Sequence, residues 1–128
     1  MTARAKYRFV FFDVDSTLVT IEGIDVLAAG NEEIVRLTDA AMNGEIPLDE
    51  VYGRRLELIR PTRADVEALG RRYVSSMVDG AEETIATLRD AGADVHLISG
   101  GIAEAIAPLA EKLGIAPRAV HAVSLRFD

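Results

Sequence analysis

Phe9-Val10-Phe11-Phe12-Asp13-Val14-Asp15-Ser16-Thr17-Leu18-Val19 is an apolar run that stops abruptly at two carboxylates and two hydroxyls. Residues 9–12 do not alternate with polar ones, so they read as a strand buried on both faces. Asp13 and Asp15 then fall where the strand emerges. In open parallel sheets, ligands sit beyond the carboxyl ends of the strands. Two acids one residue apart repel each other and tend to take up a proton unless a cation lies between them. A hard cation such as Mg²⁺, held by one or two carboxylates and completed by phosphate oxygens and water, resolves that repulsion. The plainer alternative is a pair of solvated turn acids, which the greasy strand before them and Thr17 after them disfavour.

Working outward, the 128 residues fit one domain, or a core with a small insertion. With 49% hydrophobic residues a packed core is affordable, and with four Phe, three Tyr and no Trp it must be mostly aliphatic. The net charge of −7 argues against a nucleic-acid binder, which needs a basic face. An acidic chain that binds phosphate must concentrate positive charge locally, through a metal, an Arg or backbone amides. Cysteine is absent, so thiol chemistry and disulfides are excluded. Arg4, Lys6 and Arg8 precede the strand without a signal-peptide apolar core. No apolar run approaches the roughly 20 residues of a membrane span. The expectation is a cytoplasmic protein with no membrane and no nucleic-acid partner.

From Ile21 to about Val78 the pattern is helical. Glu22 to Ala29 reads as a short helix stopped by Gly30. Asn31 suits the cap of a second helix with Ile34, Leu37, Ala41 and Met42 near one face, ending around Asn43-Gly44. Pro47 suits the first turn of a third, presenting Val51 and Leu58, with Leu48 and Tyr52 as further inward candidates. Pro61 stops it, and Thr62-Arg63-Ala64-Asp65 resembles a capping box for a fourth helix through Tyr73 and Met77. Four short helices make an antiparallel bundle. Inserted straight after the first strand, residues 21–78 read as a cap over the carboxylates, with 1–20 and 79–128 as the core. In the core, residues 81–91 form a helix with Ile85 and Leu88 inward. Asp94 to Ile98 is a second strand, Ser99-Gly100-Gly101 a tight turn, and Ile102 to Leu113 a helix that Pro108 should kink or deprive of one hydrogen bond. Ala119 to Val123 is a third strand. The fold class is α/β: a partial Rossmann-like parallel sheet core with an inserted helical-bundle cap. A hydroxyl and free backbone amides at the Ser99-Gly100-Gly101 turn make a phosphate site if a second parallel strand delivers them beside the first.

Asp13-Val14-Asp15-Ser16-Thr17 resembles the D-x-D-x-[TV] signature of haloacid-dehalogenase-like phosphohydrolases, and the stretch from Phe12 through Glu22-Gly23-Ile24-Asp25 is similar to the phosphoserine phosphatases within that family. The resemblance implies a phosphoaspartyl mechanism in which Asp13 is the nucleophile and Asp15 the general acid and base. It also implies Mg²⁺ at Asp13 and Asp15, through the Asp13 carboxylate and the Asp15 carbonyl. Thr17 fills the third motif position, where it can equally be a turn hydroxyl bonding the backbone. Ser99, Gly100 and Gly101 match the second motif and would hold the phosphoryl oxygens. Glu22 falls where an acid contacts the substrate amino group, and Arg55 where a guanidinium fork binds its carboxylate. Their plainer roles are a first-turn acid favoured by the helix dipole and a solvated helix Arg. Met42 and Asn43 stand for a substrate-contacting Met-Gly pair, and Leu48 for a frequent Phe. His96 and His121 read as structural strand residues, and Lys112 as non-catalytic.

The resemblance runs from about Arg8 to Phe127. The family's third motif, bearing a Lys, and its acidic fourth motif do not follow Ser124. A truncated chain is therefore expected, with weak or absent turnover, an exposed edge at Phe9 to Asp13, and self-association through that edge. The leading reading is a Mg²⁺-dependent phosphomonoesterase acting on a small phosphorylated metabolite such as phosphoserine. The alternative is a non-catalytic domain of the same fold that binds a partner or phosphorylated metabolite. A phospho-accepting receiver domain fails, because its acids come from separate strands and nothing in it explains the helical insert.

Overall fold

The computed structural model describes residues 4–29 and 31–127. Its elements run β1 (Phe9–Asp13), α1 (Gly23–Leu27), α2 (Glu32–Met42), α3 (Leu48–Ile59), α4 (Arg63–Ser75), α5 (Ala81–Asp90), β2 (Asp94–Ile102), α6 (Ala103–Lys112) and β3 (Val120–Val123), with a 3₁₀ turn at Pro117–Ala119. The three strands form one parallel sheet in the order β1-β2-β3. The α/β class, with a parallel sheet and a helical insert between β1 and β2, is as the sequence predicts.

The helix starts obey local chemistry. The Asn31 side chain accepts from the N–H groups of Glu33 and Ile34, at 3.1 and 3.3 Å. Thr62 and Asp65 close a reciprocal capping box at 2.9 and 3.1 Å. The Thr62 backbone N–H, and then its hydroxyl, hold the Asp65 carboxyl below its ordinary range. Pro47 sits at the N-cap of α3 rather than inside its first turn. The stop expected at Gly30 lies outside the described residues.

The insert leaves and rejoins the core at one place. Val19 bridges Met77 in antiparallel fashion, the Thr20 N–H donates to the Ser76 carbonyl, and the Val78 N–H donates to the Leu18 carbonyl. Inside the insert α2 packs on α3 and α1 on α4, while α4 also lies along α6. Val66, Leu69 and Tyr73 of α4 therefore share one buried cluster with Val95 and Leu97 of β2, Ile85 of α5, and Ile106 and Leu109 of α6. Met42 and Leu48, expected on inward faces, are 79% and 71% exposed, and Leu58 is also exposed. The fully buried residues of α2 and α3 are Ile34, Ala41 and Val51, and Leu56 of α3 packs, partly buried, against the main cluster.

Two strand readings need correction. β1 is not buried on both faces: Phe9 and Phe11 are 51% and 55% exposed, while Val10 and Phe12 are half-buried. Among the described residues β1 is an edge, and the helices cover the other face of the sheet. The uncovered face stacks His96 against His121, with 3.1 Å between Nδ1 and Nε2, and sets Phe11 beside His96. The second correction concerns Ser99-Gly100-Gly101. β2 runs through it to Ile102, and α6 starts at Ala103. The pairing with β3 shifts register between Ile98 and Ile102, as a bulge does when it re-aims side chains beside a site.

Pro108 does not break α6, which continues to Lys112. Its ring instead meets α4 where Gly70 leaves room: a Cβ on Gly70 would lie 3.1 Å from Pro108 Cγ and 3.2 Å from the Ala105 carbonyl oxygen. Gly70→Ala gains about 1 kcal/mol of helix propensity but overpacks a backbone contact that costs about 1–3 kcal/mol. A net loss of about 1 kcal/mol is expected in urea unfolding. A more stable variant would show that the two helices separate freely.

Candidate active site

The site grows from the register of β1 on β2. Asp13 pairs with Ile98, so Ser99 lies one residue beyond it at the same end of the sheet. After β1 the chain folds back sharply, with the N–H groups of Thr17, Leu18 and Val19 all turned to the Val14 carbonyl. Ser16 takes a left-handed backbone, φ +56°, which a non-glycine residue adopts at a cost. That turn throws Asp15 inward and leaves Asp13 exposed at the strand end.

Asp15 is the most heavily bonded side chain there. Its Oδ1 accepts from the Gly23 N–H at 2.8 Å and from the Tyr73 hydroxyl at 2.6 Å. Its Oδ2 accepts from the Ser99 hydroxyl at 3.1 Å. The Gly101 N–H donates in turn to Ser99 Oγ at 2.9 Å. Gly23 must be bare, since a Cβ there would collide with the Tyr73 hydroxyl. A Cβ on Gly101 would press on Asp15 Oδ2 and Ser99 Oγ, each at 3.1 Å. Burial, and then donation to Asp15, push the Tyr73 hydroxyl far above its ordinary range, so it stays a donor.

Asp13 is more open. Its Oδ1 accepts from the Val14 N–H at 2.9 Å, and its Oδ2 has only the Thr17 hydroxyl at a long 3.5 Å. Facing it is a cavity of about 530 Å³ lined by Asp13, Asp15, Glu22, Tyr52, Arg55 and Gly100 among others. Nothing would meet a Cβ on Gly100, so the wall at that point is open space with backbone exposed to it. Arg55 reaches the cavity from α3 with its Nη1 donating to Thr38 Oγ1 at 3.4 Å. Glu22 caps α1 without bonding its amides. It accepts instead from the Ser16 hydroxyl at 2.7 Å. Lys112 pairs with Glu82 on α5 at 3.5 Å.

The structure thus brings Asp13, Asp15, Glu22, Arg55, Gly100 and Gly101 around one cavity, with Thr17 and Ser99 touching it through the two acids. Sequence reasoning missed Tyr73 and placed Tyr52 only on a helix face. A Tyr at an apolar helix position whose hydroxyl needs a partner was the available signal for both.

The acids suit a hard cation of the one-carboxylate kind. Among the described residues no cluster of three or more His, Cys, Asp or Glu is placed to hold a metal. The Asp15 side chain already carries three donors, so Asp13 Oδ2 is the open oxygen. Mg²⁺ held by one carboxylate, a carbonyl, water and a phosphate group fits such a donor set, and a closed protein cage does not.

Residues 10–127 match the family model described as haloacid dehalogenase-like hydrolase. The chain belongs to that family. It is 37% identical to the phosphoserine phosphatase of Drosophila melanogaster over an alignment of 124 positions that covers 94% of this chain and 46% of that protein. It superimposes on a phosphoserine phosphohydrolase-like protein of Francisella tularensis with a TM-score of 0.83 at 27% identity, covering 95% of this chain and 61% of the other. A substrate-bound phosphoserine phosphatase complex gives a TM-score of 0.72 at 29% identity, covering 98% and 60%. This haloacid dehalogenase-like chain spans about half the length of curated relatives such as those of fly and human, at 46% and 54%. Among its described residues no helix is long and apolar enough to cross a membrane.

Proposed function

We propose that this site hydrolyses a small phosphomonoester, O-phosphoserine in the first instance, through a phosphoaspartyl intermediate on Asp13. The observation that carries the reading is the meeting of Asp13 with the Ser99-Gly100-Gly101 bulge at the carboxyl ends of two neighbouring parallel strands. The similarity to phosphoserine phosphatases supports the substrate class.

An Asp13 carboxylate oxygen attacks phosphorus, forming an O–P bond as the bond to the serine oxygen breaks. Ser99 and the exposed backbone at Gly100 receive the phosphoryl oxygens. Asp15 moves the proton. Its Oδ1 is fixed by two donors, whereas its Oδ2 has only the Ser99 hydroxyl, which rotates. When that hydroxyl turns to a phosphoryl oxygen, Oδ2 is free to carry the proton that enters the cycle on Asp15 and passes to the leaving alkoxide. It then takes a proton from the water that attacks the phosphoaspartate and regenerates Asp13. Asp13 and the Asp15 carbonyl would hold Mg²⁺, which would supply charge neutralisation for the phosphoryl group. Glu22 and Arg55 sit on the cavity wall to meet the amino and carboxylate groups of an amino-acid ester. Residues 21–78 act as a cap over this centre, and 1–20 with 79–128 as the core.

The test is inorganic phosphate release from O-phosphoserine. Release is expected with millimolar Mg²⁺, to stop on chelation and to return when Mg²⁺ is restored. Saturable binding of the ester with no release at any Mg²⁺ concentration would favour the non-catalytic binding domain instead.

A further inference from the structure

α3 sends two side chains, three residues apart and so on one face, into the cavity: Tyr52 and Arg55. Arg55 spends one Nη1 hydrogen on Thr38, but its Nε is buried with no partner. The Tyr52 hydroxyl is also buried with no partner. Buried donors are nearly always satisfied, and each one left bare is costly. Two such donors, from residues one helical turn apart that line one cavity, ask for one acceptor group that reaches both.

The rest of the lining narrows its identity. Asp13, Asp15, Glu22 and Asp25 make the cavity acidic, and Arg55 is the cationic side chain among the described lining residues. A second phosphate there would bring two negative charges against one guanidinium and four acids. A carboxylate brings one charge and two coplanar oxygens, one for Nε–H and one for the hydroxyl. We infer that Tyr52 Oη and Arg55 Nε together form a two-point clamp for the substrate's carboxylate, which makes Tyr52 a specificity-determining residue. The inference rests on the phosphatase reading, since it is the phosphoryl group at Asp13 that leaves the far end of the substrate facing α3. Burial is the largest influence on the Tyr52 hydroxyl and outweighs the opposing pull of Arg55, so the group stays above its ordinary range and donates.

O-Phosphoserine and O-phosphoethanolamine differ only by that carboxylate. Their binding is measured by calorimetry on Asp13→Asn protein with Mg²⁺ present, with and without Tyr52→Phe. The phenyl ring preserves packing, and thermal melts confirm that the fold is kept. Tyr52→Phe is expected to weaken phosphoserine about tenfold, the worth of one hydrogen bond to a charged group, and to change phosphoethanolamine less than about twofold. In protein with Asp13 intact, KM for phosphoserine should rise with kcat unchanged, the signature of lost ground-state binding. Arg55→Lys keeps the charge but loses Nε–H, and should show the same selective loss should Tyr52→Phe melt early. Equal effects on both esters, no effect on either, or no binding of phosphoserine at all would overturn the clamp. Phosphate release from both esters with KM as well as kcat indifferent to Tyr52→Phe would overturn the clamp and leave the phosphatase standing. Selective binding of phosphoserine with no release from either ester would do the reverse.

Discussion

Asp13→Asn is expected to remove phosphate release from O-phosphoserine to below detection while leaving the fold and the ester's binding in place. The amide oxygen still accepts from the Val14 N–H, which Asp13 Oδ1 does at 2.9 Å, so the turn after β1 keeps its anchor. What disappears is the charge on the exposed oxygen and its ability to bond phosphorus. Asp15 does not stand in, because Gly23 and Tyr73 hold its Oδ1 and its Oδ2 is occupied with proton transfer. The matching experiment is intact-mass analysis after acid quench, in which protein bearing Asp13 gains a phosphoryl group and Asp13→Asn does not. Asp15→Asn should behave differently. It removes proton transfer, typically worth roughly 10²–10⁴-fold, and the loss in phosphoenzyme formation should shrink for an aryl phosphate, whose leaving group needs no proton. If Asp13→Asn still turned over at the native rate, the nucleophile would lie elsewhere and the phosphoaspartyl reading would fall.

How far the sequence carries depends on whether the deciding interaction is local. The Asn31 cap and the Thr62–Asp65 box were legible because each is written within four residues. The encounter of Asp13 with Ser99 was legible because two apolar strands ending in functional groups must, in a parallel sheet, present them at one end. The exposure of Phe9 and Phe11 was not. An unbroken apolar run looks the same whether helices cover one face of the sheet or both. The bulge at Ser99-Gly100-Gly101 was read as a turn because glycines license either, and only the pairing with β3 decides. Pro108 had no explanation until Gly70, 38 positions away, supplied the surface its ring rests on. Tyr52 and Tyr73 were hidden for the same reason. Their rings satisfy an apolar helix face, and only tertiary structure shows what the hydroxyls meet.

Tyr73 separates fold from chemistry in a single side chain. It is fully buried in the cluster where α4 meets α6 and the sheet, and its hydroxyl points at Asp15. Tyr73→Ala removes the whole ring and should cost about 3–5 kcal/mol, a large share of the 5–15 kcal/mol that holds a typical domain together. Tyr73→Phe keeps the ring and deletes one donor. Asp15 Oδ1 retains the Gly23 N–H, so no acceptor is orphaned, and the stability loss should stay near 1 kcal/mol. The kinetic loss should be larger in proportion. With one of its two Oδ1 anchors gone, the carboxylate swings about the other, and kcat should fall about tenfold with KM little changed. Gly23→Ala reaches the same end from the other side, since its methyl group displaces the Tyr73 hydroxyl. It should lose activity like Tyr73→Phe and, by unseating the ring, stability approaching Tyr73→Ala. Urea midpoints paired with steady-state kinetics on the three variants check this. Tyr73→Phe with native kcat would show that the hydroxyl serves packing alone, and that Gly23 and Ser99 suffice to aim Asp15.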